Sequence, residues 1–230
     1  MTLQELWQSF KKHKEGTWIL GYDDAQRLYG IIKKIKPKSI LDLGGGIGCS
    51  ASIMALALKD IEREPFDVIK PHITSIEQFE KCVKLAHELI PADLKEYITV
   101  EHHPQVVKQY DEVPYKYFTT FKDLPLKHYD LVIIDGPGPH YEVRNGKEYQ
   151  IKLPNGDFVD LIPHLEQGAF VYLDQRVTTR EVIGNYFSEY LGAVHGTKDY
   201  ILAERTEKKY EGSIDKEGGL MREVGYKPEI

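Results

Sequence analysis

The chain is poor in cysteine: Cys49 and Cys82 are the only two among 230 residues. Neither has a Cys-x-x-Cys neighbour, so the sequence carries no zinc pattern, and two small buried thiols in a reducing compartment are expected. Long apolar runs are also lacking. The stretch Ala51–Leu58 is far too short to span a bilayer, so no membrane partner is expected. Positive charge is not in excess, because 30 Lys and Arg face 36 Asp and Glu for a formal charge of −6. A basic surface for nucleic acid is therefore not expected. Lys11, Lys12 and Lys14 precede no apolar core of a signal peptide, and the expected location is cytoplasmic. What is present is a globular composition, 41% hydrophobic and 29% charged, long enough for one well-buried domain.

The most informative segment is Ile40–Gly48, Ile-Leu-Asp-Leu-Gly-Gly-Gly-Ile-Gly. An apolar strand reaches an acid, Asp42, and then turns through Gly44, Gly45, Gly46 and Gly48 into a helix beginning near Ser50. Glycines let the backbone approach a ligand, and the following helix N-terminus adds partial positive charge. In the dinucleotide fingerprint the acid ends the next strand, whereas Asp42 lies before the first glycine.

The remaining chain alternates strands with amphipathic helices. Leu3, Leu6, Trp7 and Phe10 predict an opening helix, and Leu28, Ile31, Ile32 and Ile35 a second over about 24–36, with Asp23 and Gln26 as its capping box. Strands are expected at 39–43, 73–76, 98–100, 130–134 and 169–173, with a closing antiparallel pair at 193–195 and 200–203. Phe79, Cys82, Val83, Ala86, Leu89 and Ile90 read as one face of a helix, and Thr178 with Glu181 as a further capping box. Residues 101–128 carry no clear period. The pattern implies an α/β fold with a mostly parallel, doubly wound sheet. A single domain is expected, with N-terminal helices over 1–36, a core over 39–205 and a charged tail over 206–230. Asn145-Gly146 within about 141–153 predicts a hairpin with a type I′ turn, either decorative or a substrate wall.

Ligands in such sheets bind beyond the carboxyl ends of the strands, where Asp42, Glu77, Asp135 and Asp174 all fall. Glu77 is suited to accept from a ribose diol, or alternatively to cap the next helix. Glu101 or His102, after the third strand, is the candidate to stand near a nucleotide's base, and Gln78 beside Glu77 is a further cofactor-binding candidate. Asp135 opens Asp-Gly-Pro-Gly-Pro-His, so His140 is a candidate general base five residues on. Asp135, Asp174 and Gln175 together form a hard, oxygen-rich set suited to Mg2+ or another divalent cation. The aromatic stretch Tyr110, Tyr115, Tyr117, Phe118 and Phe121 reads as packing.

The segment Ile40–Gly48, the acid Glu77, Leu-Val-Ile-Ile-Asp-Gly at 131–136 and Gly-Ala-Phe-Val-Tyr-Leu-Asp at 168–174 occur in the order of a class I S-adenosylmethionine-dependent methyltransferase. The resemblance spans about 39–205 and is similar to small-molecule O-methyltransferases of the catechol and macrolide-sugar type. It implies a seven-stranded Rossmann-like sheet, order 3-2-1-4-5-7-6 with strand 7 antiparallel. It further implies S-adenosyl-L-methionine as cofactor, in-line methyl transfer to a small-molecule acceptor hydroxyl, and metal ligation by the acids matching Asp135 and Asp174. The chain departs from the pattern in Gln175, where an Asn often stands, and in the stretch Pro137-Gly138-Pro139. A second copy of the chain is a further candidate partner. A non-catalytic cofactor-binding protein and a nucleotide or NAD enzyme on a similar sheet are the alternatives.

Overall fold

The computed structural model describes residues 1–13, 19–61, 70–110, 117–174, 176–196 and 200–208. In chain order the elements are α1 (Leu3–Lys11), α2 (Tyr22–Ile35), β1 (Ser39–Leu43), α3 (Cys49–Lys59), β2 (His72–Glu77), α4 (Glu80–Leu89), β3 (Ile98–His102), β4 (Gln105–Lys108) and β5 (Phe118–Phe121). There follow β6 (Leu131–Ile134), β7 (His140–Arg144), β8 (Lys147–Ile151), α5 (Asp157–Leu161), β9 (Phe170–Asp174), α6 (Val177–Val182), β10 (Leu191–Gly196) and β11 (Tyr200–Arg205). The large sheet has seven strands in the order β10-β11-β9-β6-β1-β2-β3. Counting only its members along the chain, this is the expected 3-2-1-4-5-7-6, and β11 runs antiparallel to both β9 and β10.

The chain divides into two compact units, Met1–His103 with Tyr129–Gly136, and Pro104–His128 with Pro137–Ile230. In the first unit β1 is the axis. It pairs in parallel with β2 from Ser39↔His72 to Leu43↔Ile76, and with β6 from Ile40↔Leu131 to Leu43↔Ile134. Such strands are covered on both faces, which is why Ile40, Leu41 and Leu43, and all of Leu131–Ile134, are apolar in succession apart from Asp42. Helix α3 is buried from Cys49 to Leu58, as a helix apolar on every side must be. Helix α1 carries a capping box in which the Thr2 side chain accepts from Glu5 N–H and Glu5 accepts from Thr2 N–H, and it buries Leu6 and Phe10.

In the second unit the aperiodic region 101–128 contributes a short antiparallel pair, β4 with β5. Tyr110, Phe118 and Phe121 are buried, in keeping with a packing role; Tyr115 lies outside the described residues. Strands β7 and β8 form the expected hairpin, paired from His140↔Ile151 to Arg144↔Lys147. Asn145 (φ 51°) and Gly146 (φ 71°) both take positive φ, as a type I′ turn requires.

Two capping expectations and one helix-face expectation do not hold. Helix α2 begins two residues early, at Tyr22, with Gly21 as its N-cap and no side-chain cap, so Asp23 lies inside the first turn and contributes through the helix dipole. Thr178 lies inside α6, whose N-cap is Arg176; the neighbouring Thr179 hydroxyl instead accepts from Asn155 N–H. Phe79 is the N-cap of α4 rather than part of its buried face, and is 56% exposed. The tail beyond Lys208 lies outside the described residues, and no described helix is long and apolar enough to cross a membrane.

Candidate active site

The site candidates of the first unit gather around the turn from β1 to α3. Gly44 N–H and Gly45 N–H both donate to the Ile76 carbonyl, at 2.9 and 3.1 Å, which ties the glycine loop to the end of β2. Gly48 N–H donates back to the Gly45 carbonyl. Two glycines are demanded by close approach. A side chain at Gly44 would meet Gly136 N at 2.5 Å, and one at Gly45 would meet Ser75 Oγ at 1.9 Å.

Asp42 lies beneath this loop and does not line the pocket in front of it. It is fully buried, and its Oδ2 accepts from Ser50 Oγ at 2.9 Å and from Ser75 Oγ at 2.8 Å. Burial pushes its carboxyl up to about 6, opposed by the two serine hydrogen bonds. Its other oxygen is buried with no hydrogen-bond partner in the structure. Asp42 thus acts on the loop from behind, fixing Ser75 of β2 and Ser50 of α3 to one carboxylate. The two serines were not singled out from sequence, since Ser is too common to signal such a role.

Glu77 ends β2 and is nearly buried. Its Oε2 accepts from Gly46 N–H at 2.9 Å and its Oε1 from Phe79 N–H at 2.9 Å. Burial raises its pKa, while the backbone donors of Phe79, Gly46 and Gln78 work in the other direction. The carboxylate therefore joins the glycine loop to the start of α4. Behind it, the His102 imidazole Nε2–H donates to the Gln78 carbonyl at 3.0 Å, so Gln78 and His102 are brought together at the ends of β2 and β3. Phe79 adds an exposed ring beside them, a feature hidden in the sequence by its helical spacing.

A pocket opens in front of the loop, lined by Ile19, Leu20, Gly44–Ile47, Cys49, Ser50 and Asp135. Asp135 is half-buried at the end of β6, and its N–H donates to the Leu43 carbonyl at 2.9 Å. The Cys49 thiol is pushed up to about 12 by burial, so it lines the pocket as an inert group. Ile19 and Leu20 had no signal in the sequence, because they stand outside every motif.

The other candidates belong to the second unit. His140 is the first residue of β7, with its Nε2 3.9 Å from Glu142 Oε1, while Arg144 donates through Nε and Nη2 to Glu142 Oε2 at 3.0 and 2.8 Å. Asp174 ends β9 opposite Tyr200 of β11. Gln175 lies outside the described residues. Among the described residues no group of three or more His, Cys, Asp or Glu side chains is set to hold a metal ion.

No family model and no curated protein matches the sequence. In fold the chain is similar to solved methyltransferases. The O-methyltransferase from Bacillus cereus, solved in complex with SAH, is 14% identical over 89% of this chain and 90% of that one, with TM-score 0.57. The O-methyltransferase TomG from Streptomyces achromogenes, involved in tomaymycin synthesis and solved with SAM, is 15% identical over 89% of each chain, with TM-score 0.54. A methyltransferase from Geobacter sulfurreducens is 11% identical over 88% and 89%, with TM-score 0.55. At these identities the likeness establishes a shared Rossmann-like fold.

Proposed function

We propose that the protein is an S-adenosylmethionine-dependent methyltransferase acting on a hydroxyl of a small molecule. The observation that carries this reading is the Glu77 carboxylate seated on the Gly46 N–H. In a pyrophosphate site the loop amides are held open for phosphate oxygens. Here Gly44, Gly45, Gly46 and Gly48 all donate to protein acceptors, and one acceptor is an acid that would repel a phosphate. The same arrangement suits a ligand with ribose hydroxyls and positive charge. The residues present fit such a cofactor: Glu77 for the ribose, Gln78 and His102 near the base, and Asp135 across the pocket from Ile19 and Leu20 for the cationic part.

When bound, S-adenosylmethionine supplies a sulfonium methyl group that an oxygen nucleophile can attack in line. The chain's part is to orient and to move one proton. Glu77 and the loop hold the nucleoside half, and Asp135 or His140 accepts the acceptor hydroxyl's proton. Metal assistance by Asp135, Asp174 and Gln175 is a subordinate proposal, supported by acids at the ends of β6 and β9. The described residues alone do not furnish a complete set of ligands. Shortening the β7–β8 hairpin is expected to alter acceptor turnover and leave cofactor affinity in place.

Calorimetry with S-adenosylhomocysteine and with NAD+ tests the cofactor: binding of the first alone supports the reading, and binding of NAD+ alone overturns it. Release of S-adenosylhomocysteine from S-adenosylmethionine across a panel of phenols and sugars, with and without EDTA, then separates an enzyme from a binding protein and decides on the metal.

A further inference from the structure

We propose that Trp7 is the latch of a strap, Ile19–Leu20, that walls the amino-acid half of the S-adenosylmethionine site, so that helix α1 sets how long that ligand stays bound. The inference rests on the methyltransferase reading and names the part of the cofactor that the strap recognises.

The strap forms one wall of the pocket, and the glycine loop with Cys49, Ser50 and Asp135 forms the other. Glu77, Gln78 and His102 do not line that pocket. The space between strap and loop is therefore lined by residues other than the acid that suits the ribose, which reaches it through Gly46 N–H. In a ligand whose ribose is held by Glu77, the part that extends toward Asp135 is the aminobutyrate chain with its ammonium. Two aliphatic side chains over a methylene chain, facing a carboxylate for the ammonium, match that group.

The strap is held by one side-chain hydrogen bond from α1. Trp7 Nε1–H donates to the Leu20 carbonyl at 2.9 Å. The indole packs 5.2 Å from the Tyr22 ring at 55°, and the Lys11 ammonium stands 4.5 Å over its face. Helix α1 is itself fixed by its capping box and by Leu6 and Phe10, and it packs on α3, the helix that begins at the glycine loop. Both walls of the pocket are thereby referred to α3. Because the acceptor is a backbone carbonyl, no side-chain change at position 20 removes it, and the bond is probed through Trp7. Trp7 is a positioning residue: it acts through Leu20 and does not line the pocket.

The test is Trp7→Phe, which keeps an aromatic ring against Tyr22 and removes the N–H donor together with the pyrrole half of the indole; the comparison of two ligands cancels the general loss of packing. Affinities and dissociation rates are measured for S-adenosylhomocysteine and for 5′-methylthioadenosine, which has the nucleoside and thioether but lacks the amino-acid chain. The expected result is S-adenosylhomocysteine binding weakened about fivefold, mostly through faster dissociation, with 5′-methylthioadenosine unchanged. Both ligands read the same folded fraction, so the ratio of their affinities is insensitive to any loss of stability. Equal affinity of wild type and variant for S-adenosylhomocysteine, or equal weakening of both ligands, overturns the latch. A wild-type protein that binds neither ligand instead removes the methyltransferase reading on which the latch depends.

Discussion

The Glu77 carboxylate and the Gly46 N–H are 2.9 Å apart, so the acid that suits a ribose also closes the glycine loop before any ligand arrives. This pairing gives Glu77 a structural role besides the ribose role proposed for it. Its Oε2 accepts from Gly46 N–H and its Oε1 from Phe79 N–H, so both oxygens are already oriented by backbone donors.

Glu77→Ala removes the proposed charge-assisted acceptor of the ribose and the bonds to the backbone N–H groups of Gly46 and Phe79 in the free protein. Affinity for S-adenosylhomocysteine is expected to fall by about 1.5–3 kcal/mol, with a lower melting temperature of the ligand-free protein. Calorimetry and thermal denaturation read the two effects separately. Unchanged binding in a folded variant would remove Glu77 from the site.

Gly45→Ala places a methyl group 1.9 Å from Ser75 Oγ and 3.2 Å from Asp42 Oδ2. The loop must shift, and the cost is expected at about 1–3 kcal/mol. Ser75→Ala opens part of that space, at the loss of the Ser75 bond to Asp42. The double variant is therefore expected to be less destabilised than the sum of the two single ones, since the residues share a contact. Urea denaturation of the four proteins measures the coupling, and strict additivity would contradict the geometry.

The parts of the fold visible in the sequence are those where pattern and environment coincide. Ile40–Leu43 and Leu131–Ile134 read as strands because sheet burial demands apolar succession, and Asn145-Gly146 as a turn because both residues tolerate positive φ. The pair β4–β5 was not legible, because its residues pack within a mixed polar and aromatic region without a period. Helix α5 was missed because five residues are too few for a helical stripe. In the site, Asp42, the glycines and Glu77 stood out by spacing. Ser50, Ser75, Ile19 and Leu20 did not, since they are brought in by contacts between distant elements.

Lys108 is a buried base of the second unit. Its Nζ lies 3.1 Å from Asp160 Oδ2, and Tyr110 Oη donates to the same oxygen at 3.1 Å. Both charged side chains are almost out of solvent. Lys108→Met leaves Asp160 without its counter-charge and is expected to destabilise by about 3–5 kcal/mol, measured by urea denaturation. Lys108→Met with Asp160→Leu, which removes both charges, is expected to recover much of that loss. A single variant as stable as the wild type would show that the pair carries no weight.

Asp157, three residues before Asp160 on α5, gives stability a dependence on pH. It is fully buried, its Oδ1 accepts from Phe121 N–H at 2.9 Å, and its Oδ2 accepts from the Asn155 side-chain amide at 2.6 Å. Burial pushes its carboxyl up to about 7, assisted by the neighbouring Asp160, while the Phe121 N–H and the Asn155 and Thr120 side chains work in the other direction. An unfolded aspartate ionises near its ordinary 3.8, so between that value and 7 the folded chain binds more protons than the unfolded one. The contribution is fully present below the unfolded pKa and is lost as pH rises through the folded one. Stability is thus expected to fall across this window by on the order of 3 kcal/mol and to level off above it. Asp42, pushed up to about 6, adds a slope of the same sign at the acid side of the window. Asp157→Asn cannot ionise, so its stability is expected to depend less on pH between 5 and 7.5, retaining the parts from the other buried acids with raised pKa, Asp42, Glu77 and Asp160. Urea midpoints of both proteins across that range decide the matter, and parallel curves would mean that Asp157 titrates as an ordinary carboxylate.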